Sequence, residues 1–283
     1  MIIPTAPNRA RVDRLMRWLC WTAMVLVLVP LVSLLYLVIS KGIHRLDLDF
    51  FIHLPRPVGI PGGGMGNALL GTFTLVLIAS LIGMPVGVAA GLYLSEYGES
   101  RFASTVRFWA DVLSGVPSIV TGIFAYEIIV KPMHSFSALA GGFALGTMMI
   151  PIIARITEEV VRLVPVSLRE AALALGIPRW KSIIYVVLRT AISGVATGLL
   201  LAATRVASET APLLFTSFNN QYWPSGLNQP TASMTVQIFT YAISPYDEWR
   251  DMAWTGALVL LIIVLLVSLA SRLTLTKNRA TNL

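Results

Sequence analysis

Two groups of charged residues stand inside apolar stretches of a chain that is poor in charge. Arg205 and Glu209 are four apart and share one face if that stretch is helical. Arg155, Glu158, Glu159 and Arg162 form a second group, in which either glutamate has helical spacing to an arginine. The chemistry open to such groups is the handling of ions. An arginine offers two parallel N–H bonds to an oxyanion, and a neighbouring carboxylate competes for the same guanidinium. Charged residues inside membrane spans are costly and often line ion pathways. Both groups could equally be structural ion pairs, and spacing alone leaves the two readings open.

Bond-making chemistry finds no comparable constellation. His44, His53 and His134 are scattered and form no H-x-x-x-H or H-E-x-x-H spacing, so no metal site is expected. The single cysteine, Cys20, excludes a disulfide framework and a cysteine-rich zinc site. Ser118 follows Pro117 but has no His or Asp partner motif. The stretch Gly176–Ser182, GIPRWKS, comes nearest to a phosphate-cradling loop. Trp180 occupies the position of the second glycine, where backbone amides must approach the phosphate. No cofactor is expected, and the chain is not expected to be an enzyme.

The elements that must position these charges are membrane helices. Of 283 residues 56% are hydrophobic and 12% charged, with a mean hydropathy of +0.76; a soluble domain carries about 25% charged residues. A helix needs roughly 20 apolar residues to cross a bilayer. Six stretches qualify: Trp18–Ser40, Ala68–Leu94, Phe108–Val130, Ala138–Ile156, Ile183 to beyond Ala203, and Met252–Ser271. The expected fold is therefore all-α and polytopic. Gly83, Gly87 and Gly91 recur every four residues, a spacing that lets helices approach closely. Pro85 is expected to kink the second span. The net charge of +7 is topological and does not mark a nucleic-acid-binding module. One side collects 15 Lys and Arg, the other only Lys41, Arg45, Arg56, Lys131 and Arg250. This asymmetry places both termini in the cytoplasm. Residues 1–17 form an N-terminal segment, 18–276 a single transmembrane domain, and 277–283 a tail.

Between the fourth and fifth spans lies VPVSLREAALALGIPRWKS, residues 164–182. Ser167 with Glu170 reads as a capping box, Gly176 as a helix stop, and Pro178 as a block to continuation. This describes a short helix on the membrane surface, with Leu168, Ala171, Ala172 and Leu175 on its apolar face. The string Glu170-Ala171-Ala172, three residues, Gly176, nine residues, Val186 and Leu188 resembles the EAA signature of ABC-importer permeases. Arg189 stands where that family has its final proline. The resemblance implies that Glu170, Ala171, Ala172 and Gly176 form the coupling helix that docks on a cytoplasmic ATPase.

Three further strings resemble the phosphate-import branch of these permeases: Ser114–Phe124, Pro151–Pro165, and Arg205–Phe215, where Ser208 replaces the usual glycine. The resemblance implies a type I, MetI-like fold in the inner membrane. It also implies a phosphate path that includes Arg155, Glu158, Glu159, Arg205 and Glu209. The implied partners are a second, homologous permease, two ATPase subunits, an external phosphate-binding protein and membrane lipid. Another oxyanion is an alternative cargo. A stand-alone channel or secondary transporter is the rival from a different class; it would require an internal inverted repeat, and it would leave the EAA loop unexplained.

Overall fold

The computed structural model describes the backbone of residues 7–60 and 62–280 and the side chains of 11–60 and 62–271. The ends of the expected 1–17 and 277–283 segments, and the side chains of Arg9, Arg272, Lys277 and Arg279, lie outside the described residues. Among the described residues every regular element is helical. In chain order these are α1 (Pro7–Gly42), α2 (Leu48–Ile52), α3 (Gly66–Glu96), α4 (Arg101–Gly115) and α5 (Ser118–Met133). They are followed by α6 (Ala138–Arg162), α7 (Val166–Ala174), α8 (Arg179–Ala207), α9 (Ala211–Leu214), α10 (Met234–Ala242) and α11 (Asp247–Ala280). Five helices, α1, α3, α6, α8 and α11, are long and apolar enough to cross a membrane, and the bent pair α4–α5 makes a sixth when counted as one span.

That sixth unit corrects the expected straight span Phe108–Val130. The chain turns by 101° between Gly115 and Ser118. Pro117 supplies no N–H to continue the helix, and Val116 before it is extended, with φ −69° and ψ 128°. Phe108 therefore belongs to α4, whose one face carries Arg107 and Asp111 and lies against α6. Pro85 sits within α3, which remains one helix from Gly66 to Glu96.

Helix α6 is the centre of the bundle, and small residues explain how α3 reaches it. A Cβ added at Gly83, Gly87 or Gly91 would lie 2.7, 2.7 and 2.5 Å from the Cβ atoms of Met149, Ile153 and Thr157. The relation reverses in the other half, where Gly142 and Gly146 of α6 receive Ile78 and Ile82 of α3. The two helices thus run side by side in the same direction, each furnishing the other's holes. Close packing of this kind is what drives helix association in lipid. Helix α8 runs back along α6, with Gly194 against Val160 and Gly198 against Ile156. Leu75, Leu145, Met149, Ile153, Ala202, Val206 and Leu213 form the core where the three helices meet. By contrast α1 is exposed along most of its length and meets the bundle near Val38 and Gly42, against Trp254 and Leu258 of α11.

Candidate functional site

The Arg155 group sits in the last turns of α6, where α4 crosses it. Glu158 is only 4% exposed. Its Oε1 accepts from Arg107 Nη2 at 2.7 Å and Nε at 3.2 Å, and from Arg162 Nη2 at 2.6 Å. Its Oε2 is buried, accepts no hydrogen bond, and stands 3.9 Å from Arg155 Nη1. Arg155 in turn donates Nε at 3.1 Å to Asp111 Oδ1, and its Nη2 makes a second bond to the same oxygen. Asp111 and Arg155 are roughly half-exposed, at 51% and 39%. Glu159 is exposed and takes no part in this network among the described residues. Three guanidinium groups therefore share two carboxylates, which leaves one positive charge in surplus. A buried carboxylate is tolerated only when paired and hydrogen-bonded. Glu158 meets that condition on one oxygen and leaves the other facing Arg155.

The Arg205 group is arranged differently from the expectation. Helix α8 ends at Ala207, so Arg205 and Glu209 do not share a helix face and form no ion pair. The terminal turn tightens, with Ser208 N–H donating to Arg205 O at 3.2 Å and Glu209 N–H to Val206 O at 3.1 Å. Pro212 in α9 has no N–H with which to extend α8. Continuing the register of Gly194 on Val160 and Gly198 on Ile156 places Arg205 level with Met149. Met149 is near the middle of α6 and shares a core with Val206. Arg205 is thus at about mid-depth of the bundle, exposed and without a side-chain partner among the described residues. The break of α8 at the same depth leaves backbone groups that hydroxyls satisfy. Thr235 Oγ1 donates to Glu209 O at 2.8 Å and Ser208 Oγ to Thr204 O at 3.2 Å. Non-helical backbone at membrane depth is tolerated only where protein or a watery cavity meets it. Here Ser208, Thr210 and Thr235 line a groove beside α11.

The loop between α6 and α8 contains α7, and its start differs from the expected capping box. The N-cap is Pro165, without a side-chain cap, and Ser167 lies inside the helix. The stop is as expected. Gly176 has φ +76°, its N–H donates to Leu173 O at 2.9 Å, and Ile177 N–H donates to Ala172 O at 3.1 Å. This paired ending needs a left-handed residue, which glycine adopts without a Cβ penalty. Ala172 faces inward, while Glu170 and Ala171 are exposed. Leu175, placed on the apolar face by the sequence pattern, is 81% exposed, and Leu163 equally so. The helix thus presents apolar and acidic residues outward at the arginine-rich end of the bundle.

The family described as "Binding-protein-dependent transport system inner membrane component" matches residues 83–277. The chain belongs to this family. The permease is 43% identical to "Phosphate transport system permease protein PstA" of Yersinia pestis over 272 residues, 96% of this chain and 92% of that protein. It is 50% identical to the protein of the same description from Xylella fastidiosa (strain Temecula1), covering 86% of this chain and 85% of that one. Among solved structures it resembles the inward-facing MetNI methionine ABC transporter, with TM-score 0.59 and 20% identity over 75% of this chain and 94% of that one. That likeness carries the fold, a MetI-type arrangement of membrane helices. The permease is a multi-pass inner-membrane protein and a component of a transport complex.

Several residues that organise the permease were not singled out from sequence. Arg107 and Asp111 are four apart on α4, and the bonds they make are to α6 rather than to each other. That spacing, on an amphipathic helix before a proline break, was the available signal. Glu96 and Arg169 are joined across 73 positions, a distance at which no local pattern exists. Thr235 is a further case, because it closes the break in α8 from a separate element.

Proposed function

We propose that this permease carries inorganic phosphate across the inner membrane, as one of two homologous permease subunits driven by two separate ATPase chains. A phosphate-binding protein on the outer side delivers the anion, and the path runs between the two permeases. The reading rests on one observation: identity of 43–50% to phosphate permeases along nearly the whole chain. The Arg155 cluster supports it chemically, because its surplus positive charge is held by a half-exposed carboxylate. Phosphate can take Arg155 from Asp111 by accepting the same Nε and Nη2 N–H groups on two of its oxygens. As the anion leaves, Asp111 recovers the guanidinium, so capture and release cost little net energy. Arg205, unpaired at mid-depth, is a second station for the anion, and Glu209 flanks the break beside it.

Residues 18–276 act as one transmembrane domain, both termini are cytoplasmic, and the arginine-rich end faces the cytoplasm. There Glu170, Ala171 and Gly176 form the contact through which ATPase closure drives alternating access, and the buried Ala172 seats the helix on the bundle. The deciding experiment is uptake of radiolabelled phosphate into proteoliposomes that contain the whole transporter, with binding protein outside and ATP on the ATPase side. Uptake that requires this chain and is not diluted by excess sulfate is expected. Equal competition by sulfate would make the cargo a broader class of oxyanion. Uptake without ATPase chains would favour a stand-alone transporter.

A further inference from the structure

We propose that Arg169 is the positioning residue that ties the movement of α7 to α3 and α6, and so to the anion cluster. Its guanidinium meets α3, the last turn of α6 and the connection that follows α6. Nε donates to Glu96 Oε1 at 2.9 Å, Nη1 to Val164 O at 2.6 Å, and Nη2 to Val161 O at 3.0 Å. Glu96 is 7% exposed and Arg169 20%, so the pair is largely shielded from water. The far side of the loop grips the same residue. Arg179 donates to the backbone oxygen of Glu96 at 2.8 Å, and its guanidinium lies 4.4 Å from the centre of the Tyr97 ring.

The attachment matters because α7 otherwise packs chiefly on the first turns of α8 and not on α3 or α6. Its one buried side chain is Ala172, while Val166, Leu173 and Leu175 are exposed. A helix seated on α8 through one buried alanine can move without carrying α3 or α6. With Arg169 in place, a push on α7 pulls on the last residue of α3, on the Val161 carbonyl in the last turn of α6 and on the Val164 carbonyl just beyond it. Helices α3 and α6 interlock through their glycines, so they respond as one body. Val161 is three residues from Glu158, less than one helical turn along α6. The clasp therefore joins the docking surface to the Arg155 cluster through a short and stiff path.

This inference rests on the reading of α7 as the ATPase contact, and the test separates the two. The complete transporter in proteoliposomes is assayed for phosphate carried per ATP hydrolysed, with a cross-link from Leu173→Cys, an exposed position of α7, to the ATPase as the docking readout. Arg169→Ala is expected to lower phosphate per ATP by about tenfold, a typical size for a coupling between sites, while the cross-link persists. Arg169→Lys should recover part of the ratio. Arg169→Met, which keeps the apolar stem but not the bonds, should recover none. Glu96→Gln, which leaves the bonds to Val161 and Val164 in place, should give an intermediate ratio. An unchanged ratio in assembled Arg169→Ala or Arg169→Met complexes, with the cross-link intact, overturns the clasp and leaves the docking reading standing. Loss of assembly in both Arg169→Ala and Glu96→Gln also overturns it, reducing the pair to a folding element. No cross-link from Leu173→Cys in an otherwise unaltered complex refutes the docking reading itself.

Discussion

Replacing Glu158 with glutamine keeps the shape of the side chain and removes one charge from the centre of the arginine cluster. The carboxylate lies 2.7 Å from Arg107, 2.6 Å from Arg162 and 3.9 Å from Arg155, at 4% exposure. Water therefore screens these contacts poorly. Removing one partner of a buried ion pair costs about 3–5 kcal/mol. The amide oxygen still accepts a hydrogen bond, and Arg162, at 54% exposed, can turn to water. The lower end, about 3 kcal/mol, is expected for Glu158→Gln. Asp111→Asn is the control: its pair with Arg155 is about half-exposed, so about 1 kcal/mol or less is at stake. Glu158→Gln weakens the fold but strengthens the hold on the anion. The cluster gains a second surplus positive charge, which at about 4 Å deepens an anion's well by about 1–4 kcal/mol. Phosphate should dwell at least about fivefold longer, so turnover falls even in correctly assembled complexes. Thermal unfolding of the purified complex and initial rates of phosphate uptake measure the two effects. A Glu158→Gln transporter as stable as Asp111→Asn, with unaltered turnover, would refute both the burial and the electrostatic reasoning.

Gly176→Val should uncouple uptake from ATP hydrolysis with normal membrane levels. The site has open space around the glycine but φ +76°, so the cost is backbone strain of about 1–2 kcal/mol. Gly176→Asn should be tolerated, and equal activity of the valine variant would remove α7 from the coupling role. Arg205→Gln should reduce phosphate flux severely without loss of assembly, since the side chain has no structural partner among the described residues; Arg205→Lys should retain part of the flux. Full flux in Arg205→Gln would leave the path to Arg155 and the second permease. A reporter near Asn228 should face outward and one after Leu283, which lies outside the described residues, should face the cytoplasm. Reversed reporters would overturn the orientation drawn from the 15-to-5 charge asymmetry.

The long apolar helices and the short helix between α6 and α8 were legible in the sequence because each is written in a contiguous run. Uncharged stretches such as Met252–Ser271 report the bilayer directly, and Gly176 followed by Pro178 marks a helix stop within a few residues. The recurrence of Gly83, Gly87 and Gly91 announced a close approach. It could not name Met149, Ile153 and Thr157 as the side chains that fill it. Glu158 and Glu159 look alike in sequence, since each has an arginine at helical spacing. Only the crossing of α4 over α6 buries Glu158 against Arg107, 51 positions away, and leaves Glu159 in the open. Arg205 and Glu209 show the converse. Their spacing promised a pair, but α8 stops at Ala207 because Pro212 cannot extend it and Thr235 satisfies the freed carbonyl of Glu209. Hydropathy, turn chemistry and charge bias belong to the chain as a string. The ion pairs belong to surfaces that meet only when the helices pack, and packing selects among partners that local spacing treats as equal.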